Sequence, residues 1–311
     1  MSAGSPSAAS ALVVSDYGRR YEILPDGAAE PLPAMRRGKR DDVAVGDRVA
    51  WADAGGEAAV IEAVEPRRRV LFRADENRTK VLAANVDLVV VVFAPKPPFH
   101  LQFLWRALVA AEAADLQVLA VLNKADLLAP GDEASKACDE LAGLGVATLR
   151  VSARTTPEET RRQLAAALGG RACLFVGQSG MGKSTLLNLL VPTARSRTSE
   201  ISERLNIGRQ TTTATRWYAL PPLQAGDPPG AIIDAPGFQR FGLAHLDPRQ
   251  VAACMPDLAP IAQHCRFDDC RHDVEPGCAV RAAVDAGTLD PRRFAFYRSL
   301  CADWRSANPP R

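Results

Sequence analysis

The chain has 311 residues, enough for two or three domains, and its 47% hydrophobic and 24% charged content describes a folded, soluble protein, not a disordered or fibrous one. A formal charge of only +2 excludes a uniformly basic nucleic-acid binder, so any such surface must come from local patches. Residues 1–10 lack the basic start and long apolar core of a signal peptide. The longest apolar run, Val86–Ala94, contains Asp87 and is too short to cross a bilayer, so a cytoplasmic protein is expected.

Short β-rich runs open the chain: Ala11–Val14, Arg20–Leu24, Val45–Trp51, Ala58–Val64 and Val70–Phe72, separated by Gly, Pro and Asp. Strands at this spacing predict a small barrel, because closing the sheet removes exposed edges. An OB-type barrel is our expectation, and periodicity alone leaves another small β fold open. Two basic runs lie here, Arg36-Arg37-Gly38-Lys39-Arg40 and Arg67-Arg68-Arg69. They suit an RNA backbone, but Asp41-Asp42 follow the first, and an ordinary solvated face fits equally well.

After Asn85 the pattern changes to buried strands alternating with helical spacing. Val86–Phe93, Val118–Leu122, Ala147–Val151 and Cys173–Val176 read as strands of a parallel sheet. Leu101, Leu104, Trp105 and Leu108 recur at helical spacing, and further helices are expected at Glu133–Leu141 and from Pro157. This alternation predicts a doubly wound α/β domain.

Three of these strands end in residues with chemistry. Val118–Leu122 runs into Asn123-Lys124-Ala125-Asp126, where Asp126 can accept two hydrogen bonds from the N1–H and N2–H₂ groups of guanine. Adenine lacks that donor pair. Lys124 can lay its stem along a base and Asn123 can brace neighbouring loops. Such a tetrapeptide also occurs as a polar turn, so its place at the carboxyl edge of a sheet carries the argument. Ser152-Ala153 follows the next strand, as expected of a backbone element that contacts guanine O6. Cys173–Val176 feeds Gly177-Gln178-Ser179-Gly180-Met181-Gly182-Lys183-Ser184-Thr185, a complete phosphate-binding loop. Its glycines permit the loop path, Lys183 reaches the β/γ-phosphates and the Ser184 hydroxyl suits Mg²⁺. Base recognition therefore precedes phosphate recognition, the reverse of the ordinary order, and the nucleotide domain reads as circularly permuted.

Downstream, Ile232-Ile233-Asp234-Ala235-Pro236-Gly237 is an apolar strand ending in D-x-x-G. Asp234 is expected to act on Mg²⁺ and the Gly237 N–H to meet the γ-phosphate. The polar segment Thr198–Thr215 fits a switch loop, with Thr212 the candidate for the Mg²⁺ shell. Phe238 stands where Ras-like GTPases place a water-orienting glutamine, so intrinsic hydrolysis should be slow. Gln210, Arg209 or a partner-supplied group are the candidates for that task.

Seven cysteines is an odd count that does not suit a disulfide framework. Cys265, Cys270, His272 and Cys278 follow C-x4-C-x-H-x5-C, a closed set of three thiolates and one imidazole suited to structural zinc. Cys138, Cys173, Cys254 and Cys301 read as core residues, and His100 and His245 stand alone. Arg292, Arg293 and Arg298 with Phe294, Phe296 and Tyr297 read as a basic, aromatic C-terminal helix, a second possible RNA surface.

NKAD, SA, GQSGMGKST, GRQTTT, DAPGF and the Cys/His cluster, with VGDRVAW, AANVD and FGLAHL, resemble the RsgA (YjeQ) family of small ribosomal subunit biogenesis GTPases over nearly the whole chain. The resemblance implies a multidomain α/β chain: an N-terminal OB-fold at 1–76, a circularly permuted GTPase domain at 77–247 and a mainly helical zinc-binding domain at 248–311. It implies a bacterial, cytoplasmic monomer using GTP/GDP, Mg²⁺ and one Zn²⁺. Such a protein binds the small ribosomal subunit and its rRNA late in maturation, and hydrolyses GTP faster there. The family commonly has histidine before the Thr run, where this chain has Gln210, which sets a histidine-based hydrolysis mechanism in doubt. A nucleotide-gated rRNA-binding module with incidental hydrolysis is the alternative. A P-loop ATPase or kinase is disfavoured by NKAD.

Overall fold

A computed structural model describes residues 9–18, 20–38, 42–53, 55, 58–75, 78–192, 194, 214–222, 226, 228–236 and 240–309. Strands β1 (Ala9–Asp16), β2 (Tyr21–Pro25), β3 (Leu32–Arg36), β4 (Arg48–Ala52) and β5 (Ala59–Val64) form a barrel. β1 pairs antiparallel with both β2 and β4, β3 runs parallel to β5, and β5 pairs with β4, so the order 1-2-3-5-4 closes on itself. Ala11, Val13, Tyr21, Ile23, Val49 and Ile61 fill its interior. This is the OB-type barrel that the strand spacing predicts. β3 lies outside the predicted strands: only Ala34 in it is buried, and Pro33 and the exposed Leu32 and Met35 hide the alternation.

The strand expected at Val70–Phe72 is not part of the barrel. It is β6 (Val70–Asp75), which forms a separate hairpin with β7 (Arg78–Ala84). The domain boundary expected between 76 and 77 falls between these two strands.

The barrel docks through the turn before β4. Gly46 (φ +91°) lies so close to the end of the hairpin that a Cβ there would sit 2.1 Å from the Ala84 carbonyl oxygen. Its neighbour Asp47 is fully buried. The carboxylate accepts from Arg67 Nε and Nη2 at 2.7 Å each and from the Ala44 N–H at 2.8 Å. That bidentate pair joins the turn to the stretch leading into β6.

The second sheet has the order β10 (Ala147–Arg150), β9 (Gln117–Leu122), β8 (Leu88–Phe93), β11 (Ala172–Val176), β13 (Gly230–Asp234), β12 (Thr215–Leu220). All pairs are parallel except β12–β13. All six residues of β8 are buried, as a strand covered on both faces requires. Helices α1 (Leu101–Ala113), α2 (Glu133–Gly143), α3 (Pro157–Leu168) and α4 (Lys183–Leu190) connect the strands. β12 also pairs antiparallel with β1, Ser15 opposite Arg216 and Asp16 opposite Thr215, which makes the barrel and the α/β sheet one hydrogen-bonded system.

The C-terminal part is helical, as expected: α5 (Pro248–Ala253), α6 (Ala259–Ala262), α7 (Ala279–Asp285) and α8 (Pro291–Ala307). It seats on α1. Arg293 is bidentate to Asp257 at 2.7 Å and stacks 5.0 Å from the Trp105 ring, which in turn lies 5.3 Å from Phe296. Buried Arg106 of α1 donates to Asp303 of α8 at 2.6 Å. No described helix is long and apolar enough to cross a membrane.

Replacing Asp47 by Ala leaves the Arg67 guanidinium without its partner in a half-buried site. The expected loss is about 3–5 kcal/mol, the cost of breaking a buried ion pair from one side. Urea denaturation followed by tryptophan fluorescence checks it as a lower midpoint for the first unfolding transition.

Candidate nucleotide site and metal cluster

The loops after β8, β9, β10 and β11 meet at the carboxyl edge of the sheet around a cleft of about 790 Å³. Asn123, Lys124, Asp126, Ala153, Gln178–Thr185 and Asp234 line it, together with Pro98, Leu127 and Arg154. The base-reading and phosphate-binding motifs of the sequence thus share one cavity.

Asn123 holds the loops together. It is almost fully buried, its Nδ2 donates to the Met181 carbonyl at 3.0 Å, and its Oδ1 accepts from the Ala153 N–H at 3.2 Å. Gly182 (φ +93°) sits directly against it, and a Cβ there would be 2.3 Å from Asn123 Nδ2. Lys124, itself left-handed at φ 57°, sends Nζ to the Gly180 carbonyl at 2.7 Å and the Lys96 carbonyl at 2.8 Å, so its stem spans the cleft. Ser152 Oγ donates to Asp126 Oδ1 at 2.7 Å and accepts from the Asp126 N–H at 3.0 Å, which aims the carboxylate. Ala125, in the same loop, donates its N–H to the Val151 carbonyl at 3.0 Å.

On the phosphate side, Gly182 precedes α4, whose first residues are Lys183, Ser184 and Thr185. Lys183 Nζ donates to the Gly177 carbonyl at 2.5 Å and the Gln178 carbonyl at 3.2 Å, and burial holds its ammonium below the ordinary value. The Gln178 side chain accepts from the His100 N–H at 2.8 Å, which fixes the loop to the start of α1. Asp234 ends β13 with its side chain buried. Burial pushes its carboxyl up to about 6, against the lowering pull of Lys183 and Arg216. Gln210, Thr212, Gly237 and Phe238 lie outside the described residues, so their expected roles rest on the sequence alone. Pro98, Leu127 and Arg154 were missed in reading the motifs, although Arg154 directly follows Ser152-Ala153.

The family model for the RsgA GTPase matches residues 64–244. This chain is 45% identical over 289 residues to the "Small ribosomal subunit biogenesis GTPase RsgA" of Paraburkholderia phytofirmans, covering 93% of this chain and 91% of that one. The protein of the same name from Burkholderia pseudomallei strain K96243 is 44% identical over 288 residues, 93% of this chain and 90% of the other. The chain belongs to the RsgA GTPase family. The crystal structure of YjeQ from Thermotoga maritima superposes with a TM-score of 0.63 at 26% identity, covering 95% of this chain and 98% of that one. YloQ, described as a circularly permuted GTPase, has the same TM-score at 22% identity with 97% of each chain covered, a likeness of fold. RsgA GTPases act on GTP, and the donors around the cleft fit that nucleotide with Mg²⁺: a carboxylate for the base, a glycine-rich loop for phosphate, and a hydroxyl and a buried carboxylate near Lys183.

The cysteine–histidine cluster forms in space as well. The ligating atoms of Cys265, Cys270, His272 and Cys278 lie within 4.8 Å of one another. His272 Nδ1 is 3.5 Å from Cys265 Sγ and 3.4 Å from Cys278 Sγ, and those two sulfurs are 4.0 Å apart. Zn–S bonds near 2.3 Å in a tetrahedron separate sulfurs by about 3.8 Å, so the donor set fits zinc. Burial pushes the Cys270 thiol up to about 12 and holds the His272 imidazole below its usual value. The four remaining cysteines lie apart from the cluster, Cys138, Cys173 and Cys301 buried and Cys254 only partly so, and the His245 ring packs tilted against Phe72 at 5.0 Å.

The arginine-rich runs carry carboxylate partners. Arg36 pairs with Asp42, Arg37 with Glu62, Arg67 with Asp47, and Arg68 and Arg69 with Asp87. Arg292 pairs with Asp290, Arg293 with Asp257 and Arg298 with Asp273, while Phe296 and Tyr297 are buried. Arg67 and Arg293 are drawn into largely buried ion pairs, whereas Arg37, Arg68, Arg292 and Arg298 keep exposed side chains beside their carboxylates. Lys39 and Arg40 lie outside the described residues.

Asn123→Ala removes the partner of the buried Met181 carbonyl and Ala153 N–H. A stability loss of about 1–3 kcal/mol is expected for the unsatisfied groups, read as a lower melting temperature of the nucleotide-free protein in calorimetry.

Proposed function

We propose that this protein binds GTP in the cleft, hydrolyses it to GDP and phosphate, and assists late maturation of the small ribosomal subunit, which stimulates the hydrolysis. One observation carries the reading: Asn123 ties the Asp126 loop, the Ser152-Ala153 loop and the phosphate loop around a single cavity. The partner reading comes from the relatives' name and from the barrel. A monomer in the cytoplasm fits this activity.

The residue roles follow from chemistry. Asp126, aimed by Ser152, accepts from guanine N1–H and N2–H₂, and the Ala153 backbone meets O6. The Lys124 stem covers one face of the base. The backbone of Gly177–Thr185 and Lys183 take the phosphates. Ser184 and Asp234 would hold Mg²⁺, which when bound neutralises charge developing on the phosphate oxygens. Hydrolysis then needs positioning and charge stabilisation more than a covalent nucleophile. Thr212 would complete the Mg²⁺ shell and the Gly237 N–H would meet the γ-phosphate, and Gln210 is the candidate to orient the attacking water in place of Phe238. Cys265, Cys270, His272 and Cys278 hold one structural zinc that cross-links a segment with little core of its own.

GTP turnover with and without purified small ribosomal subunits, with ATP as control, tests the whole reading. Subunits should accelerate GTP turnover, and ATP should be neither bound nor hydrolysed comparably. Binding to subunits without stimulation would replace this reading with a nucleotide-gated RNA-binding module.

The raised carboxyl of Asp234 gives a pH dependence with a fixed sign. Only the ionised form takes a cation, so Mg²⁺-dependent nucleotide affinity falls as pH drops through about 6. Roughly fourfold weaker binding is expected at pH 5.5 than at pH 7.5 from this group alone. Titration with a fluorescent GDP checks it, and Asp234→Asn should remove that part of the dependence.

A further inference from the structure

The loop between Cys270 and Cys278 carries one ligand, His272, in the left-handed region at φ 58°. Val274 beside it is 80% exposed and adds no packing on that side. The carboxylate of Glu275 lies inside the curl instead. Its Oε1 accepts from the Arg271 N–H at 3.0 Å, and its Oε2 accepts from the Asp273 N–H at 2.9 Å and the Val274 N–H at 3.1 Å. Both neighbours of His272 are therefore tied to one side chain, with His272 left-handed between them. That conformation brings Nδ1 to 3.5 and 3.4 Å from the sulfurs of Cys265 and Cys278. Tyr297 of α8 closes the far side. Its hydroxyl donates to the Arg271 carbonyl at 3.1 Å, and its ring centroid lies 5.5 Å from that of His272.

We propose that Glu275 is a positioning residue for the metal cluster, shaping the Arg271–Val274 loop so that His272 stands among the thiolates before an ion arrives. The proposal rests on the reading of the cluster as a zinc site. Glu275 is not among the four converging donors, and its oxygens are occupied by backbone N–H groups. The negative charge matters, because a carboxylate accepts from several N–H groups at once. Glutamine would turn an NH₂ group against at least one of them. Residues that orient a metal ligand in this way typically change metal affinity by about 10–100-fold.

The full chain, stripped of metal and kept reduced, is titrated with Co²⁺. Its visible d–d bands report tetrahedral geometry and its near-ultraviolet bands report bound thiolates. Glu275→Gln should weaken Co²⁺ binding by about 10–100-fold while keeping the thiolate bands, and Glu275→Asp should recover part of the loss. In a His272→Ala background, Glu275→Gln should add less than about a twofold effect, because residues acting through one another are not additive. Unchanged affinity in Glu275→Gln, or an equal loss with and without His272, overturns the proposal. If Glu275→Gln fails to fold, judged by lost GDP binding, the Glu275→Asp titration and its His272→Ala double variant decide by the same criteria. Failure of the unsubstituted chain to take up one Co²⁺ or Zn²⁺ overturns the zinc reading itself, a separate outcome.

Discussion

The carboxamide of Asn123 is the point on which the nucleotide site depends. A phosphate loop and a base-reading loop on different strands make a specific site only when their separation is constant. Here the Met181 carbonyl and the Ala153 N–H meet at one buried side chain. The link is expensive to break, because both backbone groups are away from water and have no solvent to replace it. It also accounts for Gly182, which has no room for a side chain against Asn123. None of this depends on the order in which the loops occur along the chain. Permutation therefore leaves the site intact while changing what is attached to each end of it.

Buried or partly buried cations join the three parts of the molecule. Arg67 with Asp47 fixes the barrel turn, Arg106 with Asp303 ties α1 to α8, and Arg293 with Asp257 and Trp105 seats the helical part. Planar guanidinium groups suit this work because they bind carboxylates in two places and stack on aromatic rings together. The C-terminal part is thus packed on the first helix of the GTPase domain. Arg240, just beyond the D-x-x-G segment, also reaches Asp303 of α8 at 3.5 Å.

The short motifs were legible in the sequence because each works through its own contiguous backbone. The phosphate loop, NKAD and the Cys/His spacing carry their chemistry locally, and a buried strand before each of the first two sets its place at the sheet edge. The closed barrel was legible from strand spacing, but β3 was not, since a strand with one buried residue leaves no alternation to find. β6 read as a barrel strand because periodicity reports burial, not the partner chosen. The carboxylate partners of several arginines in the basic runs were not legible for a related reason. Asp47, Asp87, Asp257 and Asp273 are brought to them only by the tertiary fold, and no local pattern signals the pairing.

The pairing of β1 with β12 has a consequence for how the molecule assembles. Ser15 meets Arg216 and Asp16 meets Thr215 across some two hundred residues of chain. The barrel can close through β1–β4 as soon as its own five strands have left the ribosome, whereas this union must wait for nearly the whole GTPase domain. Contacts of such long sequence separation form late, after the entropy of closing the intervening loop has been met. Until then the end of β1 is paired with β2 on one side only. The joint that unites the mature protein is therefore among the last of its strand pairings to form.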